Sequence, residues 1–193
     1  MHDIKLADGS KGMLFGVFDG HGGQEVSSFT KNHFKNTLLE QDEFASQDYK
    51  RALEKACIRI DGKLKENGIF VAGCTACVVL VTPLIIICAN CGDSRAVLKN
   101  KTSAIALSHD HKPNLKKERK RIAAAGHFIE DDWVDGALAM SRALGDLEFK
   151  NRIDLNPEEQ AVTSLPDITI RQRNKSDIFL IIACDGIWDC LSN

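Results

Sequence analysis

Three apolar runs in this chain each deliver an aspartate at or near their end: Phe15-Gly16-Val17-Phe18-Asp19, Ile85-Ile86-Ile87-Cys88-Ala89-Asn90-Cys91-Gly92-Asp93 and Leu180-Ile181-Ile182-Ala183-Cys184-Asp185. Short runs of this kind, rich in β-branched residues, read as buried strands. A buried strand fixes its own end, so an aspartate there points to a defined place. Once desolvated, it must be paired or must bind a cation. Three such ends meeting would make an oxygen-rich pocket, which suits magnesium and manganese with their hard oxygen ligands and retained waters. Singly, Asp-Gly and Gly-Asp are ordinary turn signals. The Asp19 turn differs, because His21-Gly22-Gly23 and a helical pattern follow it rather than a partner strand. His21 could donate a proton to a leaving alkoxide there. On pattern alone it could equally be a loop histidine without a partner.

The rest of the chain is organised in blocks. Val26, Phe29, His33 or Phe34, and Leu38 fall at helical spacing between Gln24 and Leu39. The same holds for Leu53, Ala56, Cys57, Ile60 and Leu64 between Tyr49 and Leu64, with Asp48 as N-cap and Asn67-Gly68 as stop. Gly73–Val81, Leu84–Ala89, Ser94–Leu98 and Thr102–Leu107 read as a meander of about four strands. Leu115–Ala125 is helical and Ile129–Pro157 irregular. Ile168–Arg171 and Asp177–Ala183 read as two further strands, with a helix beginning after Asp185. Blocks of strands and helices, rather than strict alternation, predict an α+β fold with mainly antiparallel sheets.

A chain of 193 residues suffices for one domain with a real core. Its 25 basic and 27 acidic residues give a net charge of −2, which argues against nucleic-acid binding driven by bulk charge. The basic run Lys116–Arg121 reads as a solvated helix face. No run is long and apolar enough for a membrane helix, and Met1–Lys5 has no signal-peptide pattern. With seven cysteines, an odd number, the expectation is free thiols in a reducing, intracellular compartment, cytoplasmic or nuclear. Cys74-x-x-Cys77 and Cys88-x-x-Cys91 have the spacing of a four-thiolate zinc site. Residues i and i+3 of a strand point to opposite faces, however, so buried thiols packing in a sheet are the favoured reading.

Six ordered motifs then carry a resemblance. They are Phe18-Asp19-Gly20-His21-Gly22-Gly23, Gly73-Cys74-Thr75-Ala76, Cys91-Gly92-Asp93-Ser94-Arg95-Ala96-Val97-Leu98, Asp110-His111-Lys112-Pro113, Met140-Ser141-Arg142-Ala143-Leu144-Gly145-Asp146 and Ala183-Cys184-Asp185-Gly186-Ile187-Trp188-Asp189. Together they resemble the protein phosphatase 2C type (PPM family) from residue 14 to residue 193. The resemblance implies a two-sheet antiparallel sandwich flanked by helix pairs, in α/β/β/α layers, with metals at one end. It implies hydrolysis of phosphoserine and phosphothreonine in phosphorylated proteins by metal-activated water. By position, Asp19 resembles the carboxylate bridging two Mn2+ or Mg2+ ions, Gly20 the residue offering its carbonyl, and Asp185 a second ligand. Asp93 and Asp189, with Asp185, resemble a weaker third metal site, and His21 the general acid. Arg142 is expected to be structural, and residues from Gly126 to Pro157 resemble a flap that helps choose substrates. The substrate-binding residues stay unknown.

The family also carries an upstream phosphate-gripping arginine with a Glu-Asp pair, and a late Asp-Asn pair. Residues 1 to 13 lack the first pattern and the chain stops at Asn193. The expectation is a single domain over residues 1–193, incomplete at both termini, monomeric and weakly active or inactive alone. A non-catalytic relative that binds phosphoproteins is the alternative.

Overall fold

The computed structural model describes residues 1–193. In chain order the elements are β1 (His2–Lys5), β2 (Lys11–Val17), β3 (Gly20–His21), α1 (Glu25–Leu39), α2 (Asp42–Ala45), α3 (Tyr49–Glu66), β4 (Gly73–Cys74), β5 (Ala76–Val81), β6 (Ile85–Cys91), β7 (Arg95–Asn100) and β8 (Ala104–Ala106). There follow α4 (Lys116–Ala124), β9 (Ile129–Glu130), β10 (Trp133–Val134), β11 (Leu144–Gly145), β12 (Asp167–Gln172), β13 (Asp177–Ala183) and α5 (Asp185–Trp188). The fold is α+β with antiparallel sheets, as the block pattern predicts.

The five-stranded sheet runs β1-β2-β5-β6-β12, and a three-stranded sheet runs β13-β7-β8. β7 packs over β5, and β13 over β2. The predicted four-strand meander is therefore two hairpins in two sheets. The chain leaves β6 at Cys91, turns at Gly92-Asp93-Ser94 and enters β7 on the other layer. Gly92 makes that turn with φ +110, in the left-handed region, and a Cβ there would lie 2.8 Å from Thr75 Cγ2. Strand length and β-branching do not report which sheet a strand joins, so the crossover was invisible to pattern reading.

Strand periodicity sorts the core. Val78 and Leu80 of β5 face α1 and α3, where they meet Phe34, Leu38, Leu53, Ile60 and Leu64. Cys77 and Val79 point the other way, into a second cluster with Cys88, Ala96 and Leu98. Phe34, not His33, takes the buried position on α1. Asp48 caps α3 by accepting from the Arg51 N–H at 3.1 Å. The four cysteines of the paired motifs divide between the two faces, Cys74 and Cys91 toward the helices, Cys77 and Cys88 between the sheets. Burial pushes the Cys91 thiol up to about 12. No helix is long and apolar enough to cross a membrane.

The basic run of α4 is less uniform than a solvated face. Lys116, Lys117, Arg119 and Lys120 are exposed, but Glu118 is only 2% exposed. Its carboxylate accepts from Arg142 Nε and Nη2 at 3.0 and 2.6 Å, from Arg121 Nη1 at 2.5 Å and from Ser141 Oγ at 2.9 Å. Arg142, itself 1% exposed, also donates to Asp167 at the start of β12. Arg142 is thus structural: it ties α4 to the five-stranded sheet.

Burial alone would raise the Glu118 carboxyl, but the Arg142 bonds and the Arg121 and Arg142 charges outweigh it and bring it to about 2. A depressed carboxyl stabilises the fold above its unfolded value, and that contribution is lost as pH falls. Acid unfolding should therefore steepen from pH 4.5 towards about 2. Glu118→Gln should flatten that slope and cost about 3–5 kcal/mol at neutral pH, by removing the buried anion that Arg142 and Arg121 share. Denaturant titrations across pH check both effects.

Candidate metal centre

Strand β2 ends at Val17 and carries Asp19 beyond the sheet edge, and β13 does the same for Asp185 through Cys184. A carboxylate oxygen of each aspartate and the Cys184 Sγ all lie within 4.8 Å of one another. All three residues are half-buried. Neither carboxylate makes an ion pair with a lysine, arginine or histidine. Two like charges this close repel unless a cation lies between them. The donor set thus fits a divalent cation: hard carboxylate oxygens, with a thiol that such ions pass over.

One buried side chain joins the Asp19 turn to the Asp93 turn. Thr75 Oγ1 accepts from the Asp19 N–H at 3.1 Å, the Thr75 N–H donates to the Asp19 carbonyl at 2.9 Å, and Thr75 Oγ1 bonds Ser94 Oγ at 2.7 Å. Gly20 follows Asp19 in β3, where a Cβ would lie 2.7 Å from Ser27 Oγ, so a glycine is needed for the close approach of α1. Asp185 sits on α5, which Trp188 fastens by donating its Nε1–H to the Ala183 and Arg95 carbonyls at 2.8 and 3.2 Å.

Asp93 and Asp189 lie outside this unpaired group. Asp93 is buried, and its Oδ2 accepts from Lys112 Nζ at 2.5 Å. Asp189 is exposed, and its charge is felt at Arg95 and Lys112. The three apolar runs therefore bring two aspartates together unpaired, Asp19 and Asp185. The third, Asp93, comes to the same end of the fold already neutralised.

His21 has a partner, which its pattern did not reveal. Its Nε2 lies 2.8 Å from both carboxylate oxygens of Asp146, while its Nδ1 is buried with no partner. Burial opposes protonation of His21, but the Asp146 hydrogen bond and the charges of Asp146, Asp93 and Asp19 outweigh it and raise the pKa above its ordinary value. Asp146 is fixed in turn from α3. Asp61 accepts from the Gly145 N–H at 2.8 Å and from Lys150 Nζ at 2.5 Å, and Lys150 also donates to the Ala143 carbonyl at 2.7 Å. Sequence reasoning assigned no role to Asp146, Asp61 or Lys112. A signal existed for Asp61, which falls four residues after Cys57 on the apolar face of α3. A charge there needs a buried partner.

The protein phosphatase 2C family model matches residues 3–193. A protein phosphatase 2C homolog 2 of Hypocrea jecorina is 46% identical over 183 residues, covering 93% of this chain and 42% of the relative. That of Schizosaccharomyces pombe is 45% identical over 184 residues, covering 93% of this chain and 50% of the relative. Among solved structures, a phosphatase from Toxoplasma gondii superposes with a TM-score of 0.82 at 29% identity, covering 92% of this chain and 69% of that one. A C. elegans sex-determining protein superposes at 0.80 with 25% identity, over 94% of this chain and 45% of that one. The chain belongs to the protein phosphatase 2C family. It spans half or less of the length of these two curated relatives.

Since Asp146 orients His21 and favours its charged form, Asp146→Asn should shift the His21 titration to lower pH. Imidazole NMR shifts follow this directly. An unchanged titration would disconnect the two residues.

Proposed function

We propose that this chain forms part of a metal-dependent protein serine/threonine phosphatase domain acting on phosphorylated proteins. The observation that carries the reading is the unpaired Asp19–Asp185 couple within 4.8 Å, beside a histidine held by Asp146. Family membership gives it the matching chemistry.

In this reading Asp19, Asp185 and the Gly20 carbonyl would hold Mn2+ or Mg2+ ions, with Asp19 the shared ligand. Asp93 and Asp189 belong to a weaker third position. When bound, the ions supply an activated water for attack on phosphorus and positive charge for the developing oxyanions. The protein's own part is orientation and proton supply. Thr75 and Trp188 hold the backbones that carry Asp19 and Asp185. His21, its protonated form favoured by Asp146, serves as general acid to the leaving serine or threonine oxygen.

Residues 1–193 belong to one catalytic domain, in which about 126–157 serve as a flap that helps choose substrates. That segment has its own small core, in which Val134, Leu138, Ala143 and Phe149 pack with Ile122 of α4. Its outer part, up to Leu138, can vary in shape, whereas Arg142, Asp146 and Lys150 tie the later part to the sandwich. The seven free cysteines, five of them buried, suit a reducing compartment inside the cell. In this reading the working form is a monomer.

With only two unpaired carboxylates at the centre, turnover by the 193-residue chain should be weak. A phosphothreonine peptide with and without Mn2+ provides the assay. Any turnover should need Mn2+ and should fall by more than about 100-fold in Asp19→Asn, since even supporting residues around a metal are worth about 10–100-fold. Circular dichroism should show the fold intact. Metal-independent turnover, or full activity in Asp19→Asn, would remove Asp19 from the chemistry.

A further inference from the structure

The acidic end of the sandwich is divided by charge partner. Asp19 and Asp185 form no ion pair with a protein cation, whereas Asp93 is held by one. The Asp93 side chain is 4% exposed, yet that of Lys112 is 40% exposed. The carboxylate is therefore fixed and the ammonium is free to leave. Lys112 is a long, flexible chain with a compact charge, and swinging it into water strands nothing but Asp93.

The backbone under this pair is clamped. The Gly92 N–H donates to His111 Nδ1 at 3.2 Å, and the His111 N–H donates to the Gly92 carbonyl at 3.1 Å. Because Nδ1 accepts, Nε2 carries the proton and donates to Asp167 Oδ2 at 3.2 Å. On the other side of His111, Asp110 takes Arg95 Nε and Nη2 at 2.9 and 2.8 Å. Asp110-His111-Lys112 thus grips β7, the Gly92 turn and Asp93 with three successive side chains. Lys112 cannot drift from Asp93 unless its own side chain moves.

We propose that Lys112 is a tethered cation that competes with a divalent ion for Asp93. A metal at the third position must displace the ammonium, so that position fills last and weakly. The inference rests on the metal-centre reading above, but concerns a residue outside the Asp19–Asp185 couple.

Mn2+ binding to the full 193-residue chain, measured by calorimetry and by the EPR signal of free Mn2+, tests it. Lys112→Met should tighten one Mn2+ site by about tenfold or more, the scale of one hydrogen bond to a charged group. Lys112→Arg should bind as the unaltered chain does, and Lys112→Met combined with Asp93→Asn should lose the gain. Unchanged affinity in Lys112→Met, or a gain that survives Asp93→Asn, would overturn the proposal. Lys112→Gln, which keeps a donor but no charge, serves if the methionine variant folds poorly, and it should tighten the site too. Thermal unfolding adds an independent readout: Mn2+ should raise the Tm of either uncharged variant more than that of the unaltered chain, and an equal rise would count against the idea. Asp19→Asn separates the two readings. If it weakens Mn2+ binding while Lys112→Met changes nothing, the metal centre stands and the competitor falls. If no variant binds Mn2+, both fall.

Discussion

Two of the aspartate-bearing turns at the acidic end hang on Thr75, a 1%-exposed side chain between the two sheets' turn regions. Its hydroxyl bonds the Asp19 backbone and Ser94, and its methyl fills the place a side chain at Gly92 would need. A hydroxyl in this setting must find partners or incur a desolvation penalty of a few kcal/mol. It finds them in the turns after β2 and after β6. Satisfying one buried polar atom therefore fixes the spacing of two aspartate-bearing loops from different strands.

A second line of constraint runs from helix to histidine. α3 packs on the sheet through Leu53, Ile60 and Leu64, which leaves Asp61 facing the chain between Ala143 and Lys150. The Asp61–Lys150 pair is buried, so neither charge can relax into water, and the Gly145 N–H completes it. That sets Asp146, which adopts a left-handed φ of 47. Gly73 allows the approach, because a Cβ there would lie 2.2 Å from Asp146 Oδ2. His21 is thus oriented by residues far from it in sequence, Asp146 directly and Asp61, Lys150 and Gly145 behind it. Such pre-set geometry is what proton transfer needs, since a positioned group acts without reorganising.

What could be read in advance follows from the range of each interaction. The longer strands and helices and the Asp48 cap are local, so periodicity and capping chemistry locate them within a few residues, whereas β1, α2 and the two-residue strands β9, β10 and β11, which form inside the stretch read as irregular, are too short to show a period. Opposite-facing cysteines followed from the period of two, and the structure puts Cys74 and Cys77 in different core clusters. The partners Asp146, Lys112 and Glu118 were not legible, because each acts across 19 to 125 residues on a group that looks like a surface charge in sequence. Lys116–Arg121 shows the failure plainly: Glu118 looks like one more polar residue in a basic run, but it is the anion on which Arg142 and Arg121 converge.

Asp185 poses the hardest positioning problem, since it begins a four-residue helix close to the end of the described chain. So short a helix has no stability of its own. Its rigidity is borrowed through Trp188, whose indole is tied to two carbonyls and lies under the Arg95 guanidinium at 5.3 Å. Arg95 is aligned in turn by both oxygens of Asp110. Asp110 thus supports Asp185 on one side while its neighbours His111 and Lys112 hold the turn of Asp93 on the other. A change in that three-residue run reaches both the unpaired couple and the paired carboxylate, although none of the three belongs to the couple itself. The acidic end therefore behaves as one mechanical unit whose electrostatics are split. The same run supplies the cation that makes Asp93 differ from Asp19.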